Sequence, residues 1–252
     1  MTKRFQNNFI GSQIIKLDQV DSTNNYALDI AQKTAPPNGT IVITDNQSSG
    51  KGQRGSSWES DQGKNLTFSL IFFPKNITTD NQFLLSQSIA LGLSDFFEAY
   101  DLIPKVKWPN DIFIGKNKIS GILIENVLKR HTINTSVVGI GININQTIFR
   151  GQFNATSLSI EKKELFDLQK IIPDLFGALE KRYLMLENNH FEKIENDYLS
   201  KMLQYNTWNN YQIHDTIIEG KITGVKKSGE LQLMHKNGYT LNYQPKEIKF
   251  IL

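Results

Sequence analysis

The chain has 252 residues, 39% of them hydrophobic and 21% charged, with a net charge of +3; this is the balance of a globular protein with one sizeable core, or one core plus a small module. Cysteine is absent, which excludes disulfides, thiol nucleophiles and cysteine zinc sites and accords with a reducing cytoplasm. The mild charge gives no nucleic-acid footprint, the four histidines lack metal-ligand spacing, and neither Met1 to Asn8 nor any later stretch has the apolar run of a signal peptide or bilayer span.

In chain order, Asp21-Ser22-Thr23-Asn24-Asn25 precedes Tyr26, Ala27, Ile30 and Ala31 at helical spacing, so a helix with a polar cap is predicted there. Pro36-Pro37-Asn38-Gly39 ends it, and residues 40–44 form a short buried strand. A glycine- and serine-rich loop occupies residues 48–57, and a strand follows over 66–73. Residues 83–100 read as a helix with Phe83, Leu84, Ile89, Leu93, Phe96 and Phe97 on its apolar side. Residues 112–114 and 119–124 read as two strands joined by a hairpin turn at Gly115-Lys116-Asn117. A strand containing Gly139 and Gly141 is predicted over 136–144. Helical patterns cover 165–186 and 191–202, with Pro173 kinking or splitting the first. Beyond Trp208 the pattern turns to short alternating strands at 212–214, 217–225, 231–235 and 239–243, which predict a small β-barrel. The fold class is therefore α+β, with one domain over 1–206 and an all-β module over 207–252.

Three segments carry chemistry. Lys107-Trp108-Pro109-Asn110-Asp111 puts a cation, an anion and a rigid turn in five residues, and Lys118-Ile119-Ser120-Gly121 follows across the hairpin. Pairing would bring Lys107, Asp111 and Lys118 into one volume, an arrangement suited to polyphosphate with the carboxylate on Mg²⁺. An isolated surface ion pair stabilises little, but the coincidence of these residues exceeds a solvated turn. The loop Gly50-Lys51-Gly52-Gln53-Arg54-Gly55-Ser56-Ser57-Trp58 satisfies Gly-x-Gly-x-x-Gly. It fits neither a dinucleotide fingerprint, which needs a helix directly after, nor a Walker A loop, which needs Lys-Ser/Thr after the last glycine. It reads as a flexible basic loop whose backbone N–H groups close over an anion. Gly139-Ile140-Gly141-Ile142-Asn143 reads as a strand that a flat ligand approaches closely, with Asn143 on an adenine edge.

Taken together and in order, Asp-Ser-Thr-Asn at 21–24, the Gly-Lys-Gly-Gln-Arg-Gly-x-x-Trp loop, Lys-Trp-Pro-Asn-Asp, Lys-Ile-Ser-Gly-Ile-Leu-x-Glu at 118–125 and Gly-Ile-Asn at 141–143 resemble the biotin protein ligases over nearly the whole chain. The resemblance implies a mixed-sheet catalytic domain akin to class II aminoacyl-tRNA synthetases with an SH3-like C-terminal barrel. It also implies ATP and biotin as substrates with Mg²⁺, a biotinyl-5′-adenylate intermediate, and transfer to a lysine of a biotin carboxyl carrier protein. Asp-Ser-Thr-Asn begins at residue 21, so no N-terminal DNA-binding domain and no repressor activity are expected, and a homodimer is left open. By the same resemblance Ser22, Thr23, Asn24 and Gln47 hold the ureido ring, and Lys51, Gly52, Gln53 and Gly121 complete the biotin site. Lys118 bridges the biotin carboxylate and the α-phosphate, Lys107 assists, and Asp111 holds Mg²⁺. Gly50, Arg54, Trp58, Asn110 and Asn143 surround the adenylate.

One departure stands out. The family's loop usually runs Gly-Arg-Gly-Arg, where this chain has Lys51 and Gln53; a point charge replaces a planar fork and a neutral amide replaces a cation. Arg54 is the residue placed to compensate. The nearest rival reading is a lipoate ligase or octanoyltransferase, which shares the fold and an essential lysine but lacks Lys-Trp-Pro and this glycine loop.

Overall fold

The computed structural model describes residues 9–151 and 154–252; the opening segment Met1 to Asn8 lies outside the described residues. A seven-stranded mixed sheet holds β1 (Ile14–Leu17), β2 (Thr40–Thr44), β3 (Leu66–Phe72), β4 (Pro104–Lys107), β5 (Asp111–Ile114), β6 (Asn117–Lys129) and β7 (Thr132–Ile142). Their spatial order is β1-β2-β3-β7-β6-β5-β4. The β1–β2 pair is parallel and every other neighbouring pair antiparallel. The α+β reading holds, although β1 and β4 were not predicted. Ile14–Leu17 lies in an otherwise irregular segment, and the Lys-Trp-Pro run read as a turn.

Both faces of the sheet are covered, which is why β3 is buried along its whole length. Leu66, Phe68, Leu70 and Phe72 enter the main core. There they meet α2 (Phe83–Glu98), which packs against α4 (Leu168–Glu187) and α5 (Phe191–Lys201), with α3 (Leu158–Lys162) preceding them. The other face carries α1 (Thr23–Thr34), whose Ala27 and Ala31 pack on Val42, Ile71 and Val137. Period-2 alternation then leaves Thr67 and Ser69 facing the same side as α1.

Helix α2 differs from its predicted one-sided pattern: Gln87, Ser88 and Ser94 are buried too, because the helix is wedged between the sheet and two other helices. Gly92 permits the closest crossing; a Cβ there would lie 2.9 Å from the Leu179 Cα. Helix α4 runs unbroken through Pro173, so of the predicted kink or split the split is corrected. A proline in the second turn removes one backbone rung, while the buried stripe of Ile171, Leu175, Phe176, Leu179, Tyr183 and Leu186 holds the rest in place.

After the main sheet come β8 (Trp208–Ile213), β9 (Thr216–Val225), β10 (Leu231–His235), β11 (Thr240–Tyr243) and β12 (Ile248–Phe250). They form an antiparallel sheet in the order β11-β10-β9-β8-β12. The all-β tail is as predicted, with β8 starting four residues earlier than read and β12 added. This sheet docks on the Lys-Trp-Pro segment, where Trp108 Nε1 donates to Gly229 O at 2.9 Å; just after α5, Leu203 N donates to Val106 O at 2.8 Å.

Candidate active site

Register builds the floor of the site. Thr44 lies opposite Thr67, Thr67 opposite Gly141, Gly141 opposite Gly121, Gly121 opposite Asp111 and Asp111 opposite Lys107. Directly paired residues share a face, so this row of small and charged side chains crosses six strands on the side that carries α1. Strict alternation back from Gly121 would turn Lys118 to the opposite face. A β-bulge prevents that: the β5–β6 register shifts after Ile112, leaving Ile119 as the extra residue and pairing Phe113 with Lys118. Lys118 thereby returns to the face of Asp111 and Gly121.

The backbone of Lys118 is held separately. Its N–H donates to Asn154 O at 3.0 Å and its carbonyl accepts from Thr156 N at 2.9 Å. Asn143 Nδ2 in turn donates to Thr156 O at 3.0 Å. Asn143, expected on an adenine edge, is 3% exposed and lies outside the lining of the cavity; it braces the segment that grips Lys118.

Above the glycine floor lies an open cavity of about 120 Å³. At one end Lys118 Nζ sits 2.6 Å from Asp111 Oδ1, both side chains about a quarter exposed. Lys107 shares their face but turns away from the cavity, its Nζ 5.2 Å from the Phe113 ring centroid and 5.9 Å from that of Phe250. Burial lowers its pKa below the usual lysine value, Asp111 opposes this, and the like charge of Lys118 lowers it further. Asn110 reaches the lining, yet its Nδ2 donates to Ile122 O at 2.6 Å.

The other end is built by α1 and the segment after β2. Ser22 occupies the N-cap position, but its side chain makes no capping bond, contrary to the polar cap read from sequence. Thr23 N donates to Gln47 Oε1 at 2.8 Å, and Thr23 Oγ1 lies 3.1 Å from the same oxygen. A backbone N–H can only donate, so this end of the Gln47 amide is the oxygen and Nε2 is the atom left to face Gly50. Asn24 Nδ2 donates to Glu125 Oε2 at 2.8 Å and to Leu123 O at 3.3 Å. Its Oδ1 accepts from Ser69 Oγ at 2.6 Å. Gly139 makes room for it, since a Cβ there would lie 2.3 Å from Asn24 Oδ1.

The glycine loop, read from sequence as a flexible anion clasp, bonds to itself. Gly52 N donates to Ser56 O at 2.7 Å and Trp58 N to Gly50 O at 2.9 Å, around a 3₁₀ turn at Gln53–Gly55. These N–H groups are spent within the loop. Lys51 Nζ donates to Asn25 Oδ1 at 2.6 Å, toward α1. The side chain of Arg54 lies outside the described residues. Trp58 closes the loop over the floor: a Cβ on Gly141 would lie 2.2 Å from its indole, and Lys118 Nζ is 5.6 Å from its ring centroid. The flat group on the bare backbone is thus the protein's own tryptophan.

The cavity brings together Ser22, Thr23, Asn24, Gln47, Lys51, Gly52, Gln53, Trp58, Asn110, Asp111, Lys118 and Gly121, and leaves out Gly50, Lys107 and Asn143. It adds Thr67, whose buried Oγ1 has no partner among the described residues, as has Trp58 Nε1. Such atoms point to a ligand. Thr67 was hidden in the apolar run 66–73; only the inference that this strand alternates faces would have exposed it. Among the described residues no group of three His, Cys, Asp or Glu could hold a metal ion, and no helix is long and apolar enough to cross a membrane.

Comparison with known proteins places the chain. The bifunctional ligase/repressor BirA of Bacillus subtilis is 30% identical over 236 residues, covering 91% of this chain and 71% of the relative. The biotin–[acetyl-CoA-carboxylase] ligase of Mycobacterium tuberculosis is 26% identical over 195 residues, 76% of this chain and 71% of the relative. Among solved structures, the biotin protein ligase from Aquifex aeolicus in complex with biotin and ATP superposes with a TM-score of 0.78 at 25% identity, covering 95% of this chain and 99% of that one. Residues 17–143, which span every strand of the site, match the Biotin/lipoate A/B protein ligase family, and the chain belongs to that family.

Proposed function

We propose that this chain is an ATP-dependent biotin protein ligase. It joins the biotin carboxylate to the α-phosphate of ATP with release of pyrophosphate. It then transfers the biotinyl group from the adenylate to a lysine amine of a carrier domain, releasing AMP. The observation that carries this reading is the cavity with the Lys118–Asp111 pair at one end and the Gln47–Thr23 amide cluster at the other. A bicyclic ureide with a carboxylate tail needs a polar, directional head site and a cationic tail site within one slot.

Lys118 neutralises charge as the carboxylate meets the α-phosphate, and Lys107 adds positive potential from the same face. Gln47 Nε2 donates to the ureido oxygen. Trp58 shields the floor from water and frames the adenine side with the loop at residues 50–57. Among the described residues that line the cavity, Asp111 is the one carboxylate offered to magnesium. That suits an ion arriving with the triphosphate and keeping most of its waters, which would supply further charge neutralisation. Asp111 also forms an ion pair with Lys118 and is placed to orient the incoming amine. The acceptor is a biotin carboxyl carrier protein, the location is the cytoplasm, and residues 207–252 form a module of their own; neither repression nor nucleic-acid binding belongs to this reading.

The test is ATP–pyrophosphate exchange with biotin, lipoate and octanoate offered separately, followed by mass measurement of a carrier domain. Exchange with biotin and a biotinyl mass gain are expected. Exchange only with lipoate or octanoate would replace the reading with acyl transfer of that kind. Lys118→Ala should lower exchange by at least about a hundredfold, as loss of a preorganised charge-stabilising donor does.

A further inference from the structure

Glu125 is not among the residues that line the cavity, yet its carboxylate ends a hydrogen-bond chain that reaches Gln47. An ionised carboxylate only accepts, so the Asn24 atom 2.8 Å from Glu125 Oε2 is Nδ2. The second amide hydrogen faces Leu123 O, and Asn24 therefore keeps no donor for a ligand. Its Oδ1 is directed to Ser69 Oγ, which also lies 2.8 Å from Thr23 Oγ1. With the Ser69 hydrogen on Asn24, the Thr23 hydroxyl hydrogen goes to Ser69, and Thr23 closes the chain on Gln47 Oε1 through its backbone N–H. Ser69 is fully buried and Asn24 is 3% exposed, so neither bond has water as a ready substitute. The fit is steric as well, with Asn24 Oδ1 seated on the bare backbone of Gly139.

We propose that Glu125 is a positioning residue for biotin, acting through Asn24. It fixes the Asn24 amide in one orientation and thereby anchors the first turn of α1, which carries the Thr23 N–H that sets Gln47. Asn24, assigned from the sequence to the ureido ring, then serves as the pillar beneath that site. The inference rests on the ligase reading and deepens it: the part of the reaction it governs is recognition of the vitamin, not handling of the nucleotide.

The test measures KM for biotin, KM for ATP and kcat of exchange in wild type, Glu125→Leu and Glu125→Gln, with thermal unfolding of each. Leucine removes the acceptor at similar size, whereas glutamine can still accept from Asn24 Nδ2. Glu125→Leu should raise KM for biotin about tenfold, in the range for a lost hydrogen bond to a charged group, with KM for ATP and kcat within about twofold. Glu125→Gln should keep KM for biotin within about twofold of wild type. Ser69→Ala breaks the same chain from its other side and should show the same biotin-specific change, which covers the case in which the leucine variant does not fold. A lowered melting temperature with unchanged KM for biotin, or an equal rise in both KM values, would overturn the proposal alone. No biotin-dependent exchange by the wild-type protein would remove the ligase reading and this inference with it.

Discussion

Single residues in this site are defined as much by what they lean on as by what they could touch. Lys107 and Lys118 share a face, and only Lys118 turns into the cavity; Lys107 lies over Phe113 and Phe250. Burial disfavours the charged form of Lys107 and lowers its pKa from the ordinary 10.5. Between that lowered value and 10.5 the unfolded chain holds a proton that the folded chain does not, so stability rises with pH across this window. Below it the cost of the buried charge is fully present. Lys107→Met should therefore be more stable than wild type at neutral pH, and the gap should narrow as pH rises toward 10.5. Urea unfolding from pH 7 to 10 checks this; a gap that does not change with pH would refute it. Pairing across the hairpin was legible in the sequence. The opposite turning of the two lysines was not, because Phe250 arrives from the far end of the chain.

Elements were legible where one face or both faces wrote a pattern. Strands β2, β3 and β6 show apolar runs, and α5 was read to within a residue of its observed end. What the pattern could not carry is phase. The extra residue Ile119 decides which side Lys118 faces, and no alternation rule contains it. Pro173 misled for a related reason: a local breaker is overruled when the rest of the helix is buried. The helices also share a polar joint. Arg182 on α4 reaches Asp95 on α2 and Asp197 on α5, each at 2.6 Å. Burial alone would raise the Asp197 pKa, but hydrogen bonds and charge from Arg182 and Lys193 carry it below the usual carboxylate range. Arg182→Met would leave two partly buried carboxylates side by side and should destabilise by about 2 kcal/mol, below the range for fully buried pairs because both acids are partly solvated. Chemical denaturation measures this, and kcat of the folded fraction should be unchanged because the joint lies on the far side of the sheet.

At the scale of the whole molecule, the site lies on one face of a sheet whose other face carries the main core. The C-terminal sheet grips the motif strand from outside through the indole of Trp108. The three tryptophans thus occupy different surroundings. Trp108 is sealed at 4% exposure, Trp208 is 43% exposed on the C-terminal sheet, and Trp58 lies on the glycine floor beneath the lysine ammonium. Trp58 therefore gives the molecule an optical probe of its own on the floor of the proposed site. Excited at the red edge of indole absorption, the protein should change emission when biotin and Mg-ATP are added together. A Trp58→Phe variant should stay dark to the same addition, and a signal that survives that change would place the emitting ring elsewhere.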